Sequence, residues 1–359
     1  MVARRMATNE RPSAMAHGRS PHSNRRKCYR RMRVSLRRCS GPVSLTRVGI
    51  AQGPGRFGAV LTAMVTPFDQ AGALDVDAAV LLARHLVAHG SDGLVAAGTT
   101  GEGPVLSDDE LVELWRALAE ALTVPVVAGT GTCDTRHSIE LTRLAEQSKV
   151  AGALVVTPYY SRPPQGGLAA HFRAVAEATT LPVLLYDIPV RTARRIEPST
   201  ILQLASSVGN IVGVKDATGD VGGAARLVAA APSGFELYSG EDRLTLALLA
   251  VGAVGTISVE SHWAGDVLAQ MVAAFAKGDV EGAEALNVAL LESHDFQSGD
   301  LYPNPLPAKA ACRALGLPVG QCRLPLGPST AELDELARQV VARVAQGAGT
   351  ERSTAAAVG

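Results

Sequence analysis

Asn210-Ile211-Val212-Gly213-Val214-Lys215-Asp216-Ala217-Thr218-Gly219 is a short apolar run that ends in a charge and then a turn. Ile211, Val212 and Val214 are β-branched, and the run is apolar at successive positions instead of alternating. That is the pattern of a strand covered on both faces, as in the parallel sheets of α/β proteins. Lys215 closes the strand. The chain has only five lysines (Lys27, Lys149, Lys215, Lys277, Lys309) against 29 arginines, and the other four fall in polar or helix-like stretches. An ammonium at the mouth of a buried strand is unfavourable unless its pKa falls or it is paired. With its pKa lowered, the free amine is the nucleophile that condenses with a ketone into a Schiff base. Paired with Asp216, the same lysine would be structural. This segment alone leaves both readings open.

Working outward, the same pattern recurs from residue 57 every 25–35 residues or so: a short apolar run, a polar or Gly-rich turn, then an amphipathic helix. The runs are Ala59–Val65, Gly93–Ala97, Val124–Ala128, Ala153–Val156, Val183–Tyr186, Ile211–Lys215, Glu236–Ser239 and Gly255–Val259. Caps mark several helices. Ser107 or Asp108 opens one carrying Leu111, Leu114, Trp115 and Leu118, Asp134 or Thr135 opens the next, and Glu197-Pro198 opens a third. Eight such units predict a (β/α)8 barrel over residues 56–278, in preference to a doubly wound open sheet. Residues 279–345 are expected to form a three-helix appendage and 346–359 a flexible tail.

Charge is unevenly divided. Residues 1–50 carry 13 Lys+Arg and one acid, Glu10, so the remainder has 21 basic and 33 acidic residues, a net charge of −12. An acidic body is a poor nucleic-acid binder, because phosphate contacts need Lys and Arg. The basic segment 1–55, rich in Arg, Ser, Pro and Gly, is expected to be a disordered extension without the apolar stretch of a secretory signal. Cys28, Cys39, Cys133, Cys312 and Cys322 form no CxxC pair and read as reduced thiols of a cytoplasmic protein. No uninterrupted apolar stretch is long enough for a membrane span.

In a barrel, chemistry gathers where strands end. Those ends hold Gly98-Thr99-Thr100-Gly101-Glu102, Thr157-Pro158-Tyr159-Tyr160, Tyr186-Asp187-Ile188-Pro189-Val190-Arg191-Thr192, Lys215, Ser239-Gly240-Glu241-Asp242 and Gly255-Thr256-Ile257-Ser258. Hydroxyls, phenols, an arginine and a lysine are expected to converge, with no metal-ligand spacing and no nucleotide-binding glycine pattern.

This set of motifs, over about residues 57–345, resembles the dihydrodipicolinate synthase/N-acetylneuraminate lyase family of lysine-dependent barrel aldolases. The resemblance implies an enzyme that condenses pyruvate with L-aspartate-4-semialdehyde in diaminopimelate and lysine synthesis. It implies no metal and no organic cofactor, only a covalent imine between Lys215 and pyruvate. Tyr186 then passes protons during imine formation. Thr99 links Tyr186 to Tyr160 in a hydroxyl relay, and Thr100 anchors the pyruvate carboxylate. Arg191 grips the carboxylate of the aldehyde, while Gly240 and Ile257 line the pyruvate pocket. The resemblance also implies a homotetramer, a dimer of dimers, with Tyr160 reaching the neighbouring subunit's site. Other reactions of the family stay open: a sialic-acid, keto-sugar-acid or 4-hydroxy-2-oxoglutarate lyase, or a barrel that has lost catalysis and serves as a binding protein.

Two departures stand out. Gly103-Pro104 replaces a more usual serine and small residue. Feedback-inhibited relatives bind lysine through Asn, Glu and His, where this chain has Cys133, His137, Asp108 and Leu111 while keeping Tyr159. Weak lysine inhibition, or none, is the expectation.

Overall fold

The computed structural model describes residues 54–297 and 299–356, with side chains to residue 346. The basic extension expected over 1–55 lies outside the described residues except for Pro54 and Gly55. Eight parallel strands close into a barrel in chain order: β1 (Val60–Ala63), β2 (Gly93–Ala96), β3 (Val126–Gly129), β4 (Gly152–Val156), β5 (Val183–Asp187), β6 (Ile211–Asp216), β7 (Glu236–Ser239) and β8 (Gly255–Ser258). The helices between and after them are α1 (Val76–Ala88), α2 (Asp108–Ala121), α3 (Thr135–Gln147), α4 (Gln165–Ala176), α5 (Pro189–Thr192), α6 (Pro198–Ser207), α7 (Val221–Ala230), α8 (Thr245–Ala250) and α9 (Ser261–Lys277). The appendage follows as α10 (Val280–Ala289), α11 (Leu291–Gln297), α12 (Leu306–Ala314) and α13 (Ala331–Ala356).

β1 to β6 separate two apolar layers, which is why these strands read as largely apolar runs, while β8 turns the hydrogen-bonded Thr256 toward the helices. Leu61, Val95, Val127, Leu154, Leu184 and Ile257 fill the barrel interior. Alternate residues such as Leu94, Val126, Val155, Leu185 and Val214 face outward and pack with Leu82, Leu114, Trp115, Leu118 and Phe172 of the helices. Burying each such side chain contributes roughly 1.5–3 kcal/mol. Val214 faces outward, so Lys215 points into the barrel and Asp216 points away from it. β3 starts two residues later than expected because Pro125 has no N–H for the ladder, and its carbonyl instead accepts from Leu94 N.

The helix starts follow their caps. Ser107 and Glu110 form a capping box, with Ser107 Oγ accepting from Glu110 N at 3.3 Å and Glu110 Oε2 accepting from Ser107 N at 2.9 Å. Asp134 Oδ1 accepts from Arg136 N at the head of α3, and Pro198 sits in the first turn of α6.

Two features of the appendage differ from expectation. It holds four helices among the described residues, because the chain breaks at Leu290, whose N–H is taken by Asn287 and Val288 carbonyls. No Gly or Pro marks that break. α13 also continues to Ala356, since Gly347 and Gly349 weaken a helix without ending it. No described helix is long and apolar enough to cross a membrane.

Candidate active site

Lys215 lies one residue from the end of β6, paired in register with Tyr186 of β5. Its side chain is buried, and Nζ stands 4.5 Å from the centroid of the Tyr186 ring. Asp216 is not its partner: that carboxylate accepts from Thr218 N at 2.8 Å and caps the following turn. Among the described residues no carboxylate lies within ion-pair distance of Lys215. Burial therefore pushes its ammonium down to about 8, opposed by the more distant charge of Asp242, aided by Arg191 and opposed again by Glu241.

The Tyr186 phenol is pushed up to about 12, chiefly by burial, with Arg191 and a hydrogen bond to Thr99 pulling the other way. At neutral pH it is a neutral hydroxyl beside an amine, able to donate and accept a proton in turn. Thr99 and Thr100 sit in the loop after β2, where Thr100 is buried and its Oγ1 accepts from Asn304 Nδ2 at 3.0 Å. Arg191 belongs to the short α5, exposed at the barrel mouth, and its guanidinium donates to the Asn304 carbonyl at 3.2 Å. A guanidinium so placed offers a fork to an incoming carboxylate.

Gly240 follows β7 directly beside the lysine: a Cβ there would lie 3.0 Å from Lys215 Cγ and 3.1 Å from the Asp216 carbonyl. Ile257 is buried on β8. Tyr160 is different. It is 94% exposed, with a left-handed backbone at φ +70°, and its phenol bonds to nothing among the described residues.

A cavity of about 700 Å³ opens here, walled by Thr99, Tyr160, Tyr186, Arg191 and Asn304. Lys215, Thr100, Gly240 and Ile257 do not line it; Lys215 is separated from it by the Tyr186 ring it lies against. The cavity also runs outward past Asp108, Leu111, Cys133, His137 and Tyr159. Of the eight expected residues, Thr99, Tyr160, Tyr186 and Arg191 line the cavity, Lys215 lies against the Tyr186 ring with Gly240 beside it, and Thr100 and Ile257 are buried. Sequence reading missed Asn304, which ties Thr100 to Arg191 from the appendage, across 204 residues of chain. The only local sign of it was the Pro303-Asn304-Pro305 run.

A family model described as the dihydrodipicolinate synthetase family matches residues 56–344. A 4-hydroxy-tetrahydrodipicolinate synthase of Moorella thermoacetica is 50% identical over 282 residues, spanning 78% of this chain and 96% of the relative. One from Acidothermus cellulolyticus is 52% identical over 281 residues, 78% and 90% of the two chains. The crystal structure of the dihydrodipicolinate synthase of Cyanidioschyzon merolae with lysine bound superposes with a TM-score of 0.78 at 41% identity, covering 80% of this chain and 98% of that one. With its closed eight-stranded barrel and helical appendage, this chain belongs to the dihydrodipicolinate synthetase family.

Proposed function

We propose that the chain is a 4-hydroxy-tetrahydrodipicolinate synthase that joins pyruvate to L-aspartate-4-semialdehyde on the route to diaminopimelate and lysine. The observation that carries this is Lys215, buried without a paired carboxylate against the Tyr186 phenol, with its ammonium lowered to about 8. The neutral amine adds to the pyruvate carbonyl and water leaves, giving an imine. Loss of a methyl proton makes the enamine, whose carbon attacks the aldehyde. The amino group of the aldehyde-derived half then displaces Lys215 and closes the ring, so no metal or organic cofactor enters the balance.

The roles are those that the family resemblance implies. Tyr186, with the Thr99 hydroxyl near it, carries protons to and from the imine nitrogen. Thr100 holds the pyruvate carboxylate, Gly240 and Ile257 shape the space around it, and Arg191 receives the aldehyde's carboxylate. Tyr160 serves the neighbouring subunit of a homotetramer; its exposure and lack of partners within one chain support this.

Borohydride with pyruvate tests the reading: the adduct should fall on Lys215, and Lys215→Ala should remove it. Labelling that persists in that variant refutes the assignment. The choice of aldehyde rests on Arg191, whose replacement by alanine should raise KM for aspartate-semialdehyde about 10–100-fold through loss of a charge-assisted pair. Unchanged affinity would favour a lyase acting on another acceptor.

A further inference from the structure

Lys309 was read from sequence as one of four lysines in polar or helix-like stretches. It does lie on a helix, α12, yet it is 1% exposed, more deeply buried than Lys215 at 4%. The two buried lysines have opposite surroundings. Lys309 Nζ stands 2.7 Å from Glu102 Oε1, donates to the Gln321 carbonyl at 2.9 Å and sits 4.1 Å over the Phe68 ring. It is paired where Lys215 is not.

Its partner matters because Glu102 closes the loop that carries Thr99 and Thr100. Glu102 holds a left-handed backbone at φ +55°, a conformation that a non-glycine residue keeps only where its surroundings fix it. Its other oxygen accepts from Arg323 N at 2.8 Å. Arg323 in turn donates to the Gly72 and Val105 carbonyls, pairs with Glu110 and stacks on Phe68. On its barrel side the loop has no slack: a Cβ at Gly101 or Gly103 would lie 2.9 Å or 2.4 Å from the backbone of Ala97. The loop is therefore clamped between β2 and the appendage, with Lys309, Arg323 and Asn304 reaching it from the appendage side.

A buried ion pair adds little net stability over apolar groups of the same shape, so stability alone is a weak reason for this one. Its distinct property is direction. We infer that the Lys309–Glu102 pair is a positioning device for the reaction, by which the C-terminal appendage fixes the Thr99–Thr100 loop at the barrel mouth. This rests on the reading of Lys215 and Thr100 as the pyruvate site.

The test uses the full-length chain carrying Lys309→Met with Glu102→Gln, a pair of near-isosteric changes that leaves no lone buried charge. The double variant should fold, yet need at least tenfold more pyruvate for half-maximal borohydride trapping, with KM for the aldehyde within twofold of wild type. Amide exchange over residues 98–103 should quicken at least tenfold while β4 to β6 keep their protection. Lys309→Met alone, which strands the Glu102 carboxylate, should be worse on every measure. Wild-type pyruvate dependence together with unchanged loop exchange in the double variant would overturn the inference. So would its failure to fold, since a positioning role requires the barrel to survive the loss. If the wild-type enzyme traps no pyruvate, the functional reading fails instead, and the exchange comparison still decides the loop.

Discussion

An amine with a pKa of about 8 is neutral in roughly one molecule in ten at pH 7, against about one in three thousand for a solvated lysine. Only the neutral form attacks pyruvate, so capture should rise about tenfold per pH unit below 8 and level above it. Tyr186, with its phenol near 12, adds no break within that range. Trapping rates between pH 6 and 9 check this, and a profile still climbing at pH 9 would mean that the amine is not desolvated. Gly240→Ala probes the same side chain sterically. The new methyl would meet Lys215 Cγ and Ala217 Cβ at 3.0 Å, so overpacking should cost about 1–3 kcal/mol of stability and slow trapping by tenfold or so. Urea unfolding and trapping rates measured together would separate the two effects. Lys215 was legible because a charge at the end of an apolar strand is a local anomaly. Lys309 was not, because its helix gives a periodicity but says nothing of a carboxylate brought in from the loop after β2.

The helices show the same division. Ser107 or Asp108 announced the start of α2 as its cap, and the structure adds that Glu110 closes the capping box and also meets Arg323, which holds its carboxyl down at about 2. A cap is a contact within four residues and can be read from sequence; the ion pair joins distant segments and cannot. The corner between α2 and α3 carries a regulatory prediction. The cavity reaches Asp108, Leu111, Cys133 and His137 there, and the one carboxylate among these four, Asp108, is taken by His137 Nε2 at 2.9 Å. An incoming lysine needs a free carboxylate for its α-ammonium, so roughly 1 mM lysine should leave at least about half the activity. Strong inhibition well below that concentration would contradict this. Restoring an acid by His137→Glu should lower the inhibitory concentration about tenfold, the worth of one charge-assisted bond.

At the scale of the whole molecule, the barrel was readable because each strand–helix unit repeats one local pattern, and eight repeats of it close a sheet. The appendage was readable only as helices. Its break at Leu290 and its grip on the Thr100 loop depend on packing between segments far apart in sequence. A further level, the assembly, bears on Tyr160. Thr99 and Tyr186 line the same cavity within one chain, while the Tyr160 phenol is 94% exposed and bonds to nothing among the described residues. If it completes the partner's relay, Tyr160→Phe should lose about 100-fold in turnover, as expected for removal of a proton-transfer group. Complementation then distinguishes the partner's site from the chain's own. A Tyr160→Phe chain paired with a Lys215→Ala chain rebuilds one intact site, with lysine from the first and tyrosine from the second. Random pairing of the two inactive chains in equal amounts makes half the dimers mixed, so activity should return to about a quarter of wild type. If Tyr160 works in its own chain, every site in the mixture lacks one of the two groups, and coexpression of the variants should recover nothing.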